Sequence, residues 1–305
     1  MTIDVRQLHG IHCVLYAFFD AHEQLDRAAM RHQTDAVIKA GVAGVTVLGL
    51  ATEVTKLSAN ERKQVMLWAA EDVAGRVPLS ITINGTSVAE QIDQLKAAES
   101  AGADWLILQP PSVGTYPASE YIDFFGRVAD AAKVPVALQN APAYFGRGLS
   151  ADEIHTLFTR HPALKIIKGE GPAVDIALMV KTVGSDIPVF NGRGGLEMLE
   201  CLRAGCAGLI LAPDLVDRAV ACFASHKAGD EVQAEALYQG SLPAIVFIMQ
   251  SLESLILHGK RLFAARAGLG DVYDRSPATR PTPFGLAIIE RFARDLGPFG
   301  AGRTL

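Results

Sequence analysis

At 305 residues, 50% of them hydrophobic, the chain is long enough for one large α/β domain or two ordinary ones. Lys plus Arg total 28 against 33 Asp plus Glu, a net charge of -5 with no basic cluster, which argues against nucleic acid or an anionic membrane surface as partner. Four cysteines without a CxxC pair and eight scattered histidines without an HExxH pair define neither a disulfide framework nor a metal site, and fit reduced thiols in a cytoplasmic protein.

The opening MTIDVRQLHG lacks the charged segment and apolar run of a signal peptide. Short apolar runs rich in β-branched residues then recur: HCVLYAF from His12, GVTVLGL from Gly44, PLSITIN from Pro78 and DWLILQ from Asp104. They continue with VPVALQN from Val134, LKIIKG from Leu164, IPVF from Ile187 and AGLILA from Ala207. Near-continuous hydrophobicity marks parallel strands covered on both faces, so these predict eight of them.

Helical patterns lie between the runs. Three open with a serine followed three residues later by glutamate, at Ser58/Glu61, Ser87/Glu90 and Ser150/Glu153, a reciprocal N-terminal cap. Glycines in AGVAG (Ala40), AGAD (Ala101) and AGCAG (Ala204) close helices just before strands. Eight such units over roughly 210 residues predict a (β/α)8 barrel. A doubly wound open sheet is the alternative, but the first strand–helix junction has no GxGxxG fingerprint.

No strand follows Asp214. Asp214 to His226, Asp230 to Phe263 and Pro283 to Leu296 read as extra helices, with 268–283 a loop between them. The run LPAIVFIMQSLESLIL (Leu242 to Leu257) is too short and polar to span a bilayer and reads as a buried amphipathic helix. The expected architecture is therefore α/β: a TIM barrel over residues 1–213 and a helical extension over 214–305, packed as a single structural unit.

Active sites of such barrels sit at the C-terminal strand ends. Those positions hold Phe18, Leu50 to Glu53, Asn84, Gln109, Gln139/Asn140, Lys168 to Glu170, Asn191 to Arg193 and Ala212/Pro213. Lys168 alone among the lysines ends a strand. One reading is a Schiff-base lysine, since partial desolvation leaves more of an amine neutral and nucleophilic toward a ketone. The other is a lysine that snorkels to solvent or pairs with Glu170. Asn191-Gly192-Arg193-Gly194-Gly195 reads as a phosphate loop or a plain turn. The segment from Gly49 to Ser58 reads as a carboxylate-holding loop or an ordinary connection, with Glu53 ordering its own loop rather than acting as a base.

Together these residues resemble the dihydrodipicolinate synthase/N-acetylneuraminate lyase family of Schiff-base aldolases, over nearly the whole chain. Gly49-Leu50-Ala51-Thr52-Glu53 is similar to the family's GTTGE loop, and Gln139-Asn140-Ala141-Pro142 to its YNxP motif. Ile167-Lys168-Gly169-Glu170 resembles the motif carrying the imine lysine, and Asn191-Gly192-Arg193 the turn after strand 7. The resemblance implies that Lys168 forms the imine and that N–H groups near Ala51 and Thr52 hold the substrate carboxylate. It also implies that Gln139 is catalytic with Lys168 and that Tyr144, Asn191, Gly192 and Ile210 bind the substrate. A homotetramer acting on a small 2-keto acid, with no metal or organic cofactor, is expected.

The departures narrow this. The family's relay tyrosine is Gln139, its two loop threonines are Leu50 and Ala51, and its tyrosine after strand 4 is Ser112. The arginine that clamps the synthases' second substrate is Tyr144. Gln139 in a Q-N-A-P motif resembles the subgroup dehydrating 2-keto-3-deoxy sugar acids, such as the L-2-keto-3-deoxyarabonate dehydratases. Expected functions are thus a Schiff-base dehydratase, then a pyruvate-releasing aldolase, then a binding protein without the synthase activity. Tyr116, Tyr144, Glu170 and a water are all open as the base at C3.

Overall fold

The computed structural model describes residues 3–112 and 114–301. Its strands are β1 (Gly10–Val14), β2 (Gly44–Val47), β3 (Leu79–Ile83), β4 (Trp105–Leu108), β5 (Val136–Asn140), β6 (Leu164–Gly169), β7 (Val189–Asn191) and β8 (Gly208–Leu211). Each overlaps one of the eight apolar runs. They pair in sequence order, all parallel, and β8 closes on β1. The molecule is a (β/α)8 barrel with C-terminal helices.

Strand register decides which residues face the barrel interior. His12 lies opposite Gly44 and Ile210, Thr46 opposite Ser80, and Ser80 opposite Trp105. Gln139, Lys168 and Phe190 form one row across β5, β6 and β7. Residues in register share a face, so this row points inward with His12 and Trp105. The imidazole of His12 meets Phe190 edge-on at 5.1 Å and Trp105 at 5.8 Å between ring centres. Gly44 is required beside them, because a Cβ there would lie 2.3 Å from His12 Nδ1. The lower barrel is thus a packed core, and Gln139 and Lys168 sit in its upper part.

The local signals act largely as expected. Ser58/Glu61 and Ser150/Glu153 form reciprocal caps. Ser87 accepts from the Glu90 N–H, but the Glu90 carboxylate instead takes Thr86 N at 2.8 Å and Thr86 Oγ1 at 3.0 Å. Thr86 offers two donors where the Ser87 N–H offers one. Gly41, Gly102 and Gly205 all adopt positive φ, as the helix-end reading requires.

The long helix expected over Asp230 to Phe263 is two segments. Glu231–Ile248 ends, and Leu252–Ala267 leaves at 111° to it. Pro243 lies inside the first segment without breaking it. The break comes at Ser251, whose backbone is extended and whose side chain caps the next turn by accepting from Ser254 N at 3.1 Å. No single helix among the described residues is long and apolar enough to cross a membrane. The bend lays Met249, Leu252 and Leu255 over the mouth of the barrel, where all three meet the cavity containing Lys168.

Candidate active site

In β6, Ile166 and Lys168 point into the barrel while Lys165 stays exposed at its foot. Lys168 is 3% exposed, and its Nζ lies 3.0 Å from Glu170 Oε1. It does not snorkel. The pairing with Glu170 is present, inside the barrel mouth. Gln139 Nε2 donates to the same carboxylate oxygen at 2.5 Å, and Gln139 Oε1 accepts from Gln109 Nε2 at 3.0 Å. A carboxylate only accepts, so Gln139 must turn its NH2 to Glu170 and its oxygen to Gln109. The Gln91 amide donates in turn to Gln109 O at 3.0 Å. This polar row runs across β4, β5 and β6 and fixes the Glu170 carboxylate beside the amine.

Lys168, Glu170, Tyr144, Ala51, Gly192 and Ile210 face an inner cavity of about 40 Å³. Tyr144 comes from the turn Pro142–Phe145 after β5. Burial, reinforced by the Glu170 carboxylate, pushes its phenol up to about 12. Gly192 leaves room for the pair: a Cβ there would lie 2.9 Å from both Lys168 Cε and Glu170 Cγ, so either side chain would have to shift. A wider chamber of about 470 Å³ lies outside and shares the walls Leu50 and Leu252.

The loop after β2 forms a tight turn, Leu50–Thr52, closed by Thr52 N to Gly49 O and Glu53 N to Leu50 O, each 3.0 Å. The Ala51 N–H therefore has no acceptor within the turn. Thr52 is fully buried, and its hydroxyl donates to Leu15 O at 2.7 Å, away from the cavity. Glu53 orders this loop: one carboxylate oxygen accepts from Lys56 at 2.7 Å and the other from Lys260.

Two residues expected to line the cavity do not. Gln139 is 1% exposed and spends its amide on Glu170 and Gln109. Asn191 points outward, because it is out of phase with Phe190 on β7. Its amide donates to Gly171 O at 3.2 Å and Cys201 Sγ at 3.0 Å. The phosphate-loop reading of Asn191 to Gly195 loses its cation, since Arg193 pairs with Glu197 at 2.5 Å. Tyr116 is 49% exposed and packs edge-on against Tyr121 outside the cavity.

Lys260 carries no signal in the sequence. It is fully buried, yet HGKRLF (258–263) looks like any solvated helix segment. Met249, Leu252 and Leu255 likewise look like ordinary core, because only the bend at Ser251 turns them toward the site.

Residues 7–279 match the model of the Dihydrodipicolinate synthetase family. YagE of Escherichia coli K12, provisionally named a 2-dehydro-3-deoxy-D-gluconate aldolase, is 36% identical over 206 residues, 67% of this chain and 68% of its own. L-2-keto-3-deoxyarabonate dehydratase of Azospirillum brasilense is 27% identical over 295 residues, 95% and 94% of the two chains. The crystal structure of YagE in complex with pyruvate superposes with a TM-score of 0.88 at 25% identity, covering 95% of this chain and 99% of that one. With the family model spanning the barrel and most of the C-terminal extension, the chain belongs to the dihydrodipicolinate synthetase family.

Proposed function

We propose that the protein is a Schiff-base lyase that removes water from a 2-keto-3-deoxy sugar acid, with Lys168 as the imine-forming amine. The observation that carries this reading is the row Gln109–Gln139–Glu170–Lys168, which sets a carboxylate 3.0 Å from the amine. The Lys168 amine adds to the C2 ketone, and loss of water leaves an iminium. Glu170 then takes the C3 proton, and the C–H electron pair flows into the iminium to give an enamine. The enamine expels the C4 hydroxyl, which receives the proton held by Glu170 and leaves as water. Tautomerisation and hydrolysis of the imine release the product. A pentonate substrate would give 2,5-dioxopentanoate.

Glu170 is favoured as the base over the other candidates. Tyr116 lies outside the cavity, and the Tyr144 phenol, at about 12, stays protonated near neutral pH. The substrate carboxylate is assigned to the Ala51 N–H, with the Thr52 N–H shared between it and Gly49 O. Gly192 and Ile210 shape the walls.

Aldol cleavage to pyruvate is the second reading, supported by the name of YagE. Cleavage requires a base for the C4 hydroxyl proton, and Gln139 supplies none at the position where the family has tyrosine. That favours dehydration.

The test is to incubate the protein with 2-keto-3-deoxypentonate, add borohydride and weigh the modified peptide. An adduct on Lys168 of dehydrated mass supports the first reading, and a pyruvate-sized adduct supports the second. No adduct with this acid or with pyruvate would sink both and leave a binding protein.

A further inference from the structure

We propose that Lys260 is a positioning residue for keto-acid binding: through Glu53 it fixes the Leu50–Thr52 turn that faces Lys168. The proposal rests on the imine reading of the site.

Glu53 adopts φ 55°, ψ 38°, a left-handed backbone unusual for a side chain of its size. Such a residue persists when its surroundings hold it. Its N–H closes the turn on Leu50 O at 3.0 Å, while its buried carboxylate bridges Lys260 and Lys56. Lys56 also donates to Arg275 O at 3.1 Å. Leu50 and Ala51, the turn's first two residues, line the inner cavity.

Lys260 approaches from the opposite side. Its side chain is 0% exposed, and the rings of Phe18 and Phe19 lie 5.9 and 5.3 Å from Nζ. Desolvation pulls its pKa down, while Glu53 opposes that shift. The preceding residues Leu255–Gly259 form a π-turn. The wider turn with i→i+5 bonds brings Leu255 and Lys260 to within roughly 50° of one another around the axis, whereas α-helical geometry would set them about 140° apart. The same helix face can therefore give Leu255 to the cavity roof and Lys260 to Glu53. A buried pair is seldom needed for stability alone, since apolar replacements often serve as well. In this barrel the pair ties the roof segment to the turn beneath it.

The experiment uses the full chain and pyruvate as the probe. Borohydride trapping on Lys168 is measured against pyruvate concentration for the wild type, Lys260→Met and the double variant Lys260→Met/Glu53→Gln, with Tm recorded for each. The expected result is a half-saturating concentration raised roughly tenfold to hundredfold in both variants, with full trapping at saturation. In Lys260→Met the buried Glu53 carboxylate keeps only Lys56 as partner; the double variant removes that buried charge, so its Tm recovers while its half-saturation does not. Half-saturation within about twofold of wild type in the folded double variant would overturn the proposal and leave a purely structural pair. Absence of a pyruvate adduct in the wild type would instead overturn the imine reading itself, and this proposal with it.

Discussion

Gly192 and Lys168 are in such close contact that a side chain at position 192 would force one of them to shift. A Cβ there would stand 2.9 Å from Lys168 Cε, inside the contact distance of two carbons. The backbone of Gly192 is anchored by its N–H to Gly169 O at 2.8 Å, so it cannot simply withdraw. Gly192→Ala should therefore displace the lysine or the turn after β7. The expected stability cost is about 1–3 kcal/mol, typical of overpacking. The amount of borohydride-trapped adduct should fall by roughly tenfold or more, as a misplaced nucleophile loses its approach to the ketone. A variant that traps as well as the wild type would mean that the cavity relaxes without cost.

Glu170→Gln separates imine formation from proton transfer. Glutamine keeps the shape and the contact with Gln139, but it cannot accept a proton. The amine of Lys168 no longer faces an anion, so trapping with pyruvate should persist. Turnover of the sugar acid should fall by roughly 10²–10⁴, the usual contribution of a general base. Equal loss of both would show that Glu170 only holds the lysine in place.

The barrel was legible because its strands are buried on both faces and so appear as plain apolar runs. Lys168 was legible as a charged residue at the end of such a run. What the sequence does not carry is phase and long-range contact. Asn191 sits at a strand end like Lys168, yet the pleat turns it outward, next to Cys201. Gln139 reads as a catalytic residue that lines the pocket and bonds a substrate hydroxyl or water, but its NH2 group holds Glu170 instead. Lys260 is 207 positions from Glu53, and no local pattern announces that pairing. The break at Ser251 has no strong signal of its own, and Pro243, a stronger breaker by composition, lies inside an unbroken helix.

The Tyr16–Asp214 contact predicts an unusual response to pH. Tyr16 donates its hydroxyl to Asp214 Oδ1 at 2.8 Å in a fully buried setting. Burial raises the Asp214 carboxyl from 3.8 to about 6, so the folded state holds its proton more tightly than the unfolded chain. That contribution to stability is complete below pH 3.8 and is lost as pH rises through 6. Asp214→Asn keeps an acceptor for Tyr16 without the buried charge. At pH 8 it should be more stable than the wild type by up to about 3 kcal/mol, with no gain near pH 3.5. Urea midpoints at the two pH values check this, and equal destabilisation at both would contradict it.

Tyr144 distinguishes the proposed base from its rival in the same cavity. Its phenol, at about 12, is protonated at every pH where the fold is expected to work, and its shift comes from burial first and Glu170 second. A protonated phenol can donate to a substrate hydroxyl but cannot take the C3 proton. Tyr144→Phe should then raise KM for the sugar acid by about fivefold to tenfold, the value of one hydrogen bond, with kcat nearly unchanged. It should also leave pyruvate trapping intact, because pyruvate has no distal hydroxyl for Tyr144 to meet. A fall in kcat comparable to that of Glu170→Gln would transfer the role of base to Tyr144. The separation works because the two groups reach the same cavity from different elements: Glu170 from the end of β6 and Tyr144 from the turn after β5. Removing the phenol therefore leaves the Gln109–Gln139–Glu170–Lys168 row in place, and any loss of proton transfer belongs to Tyr144 alone.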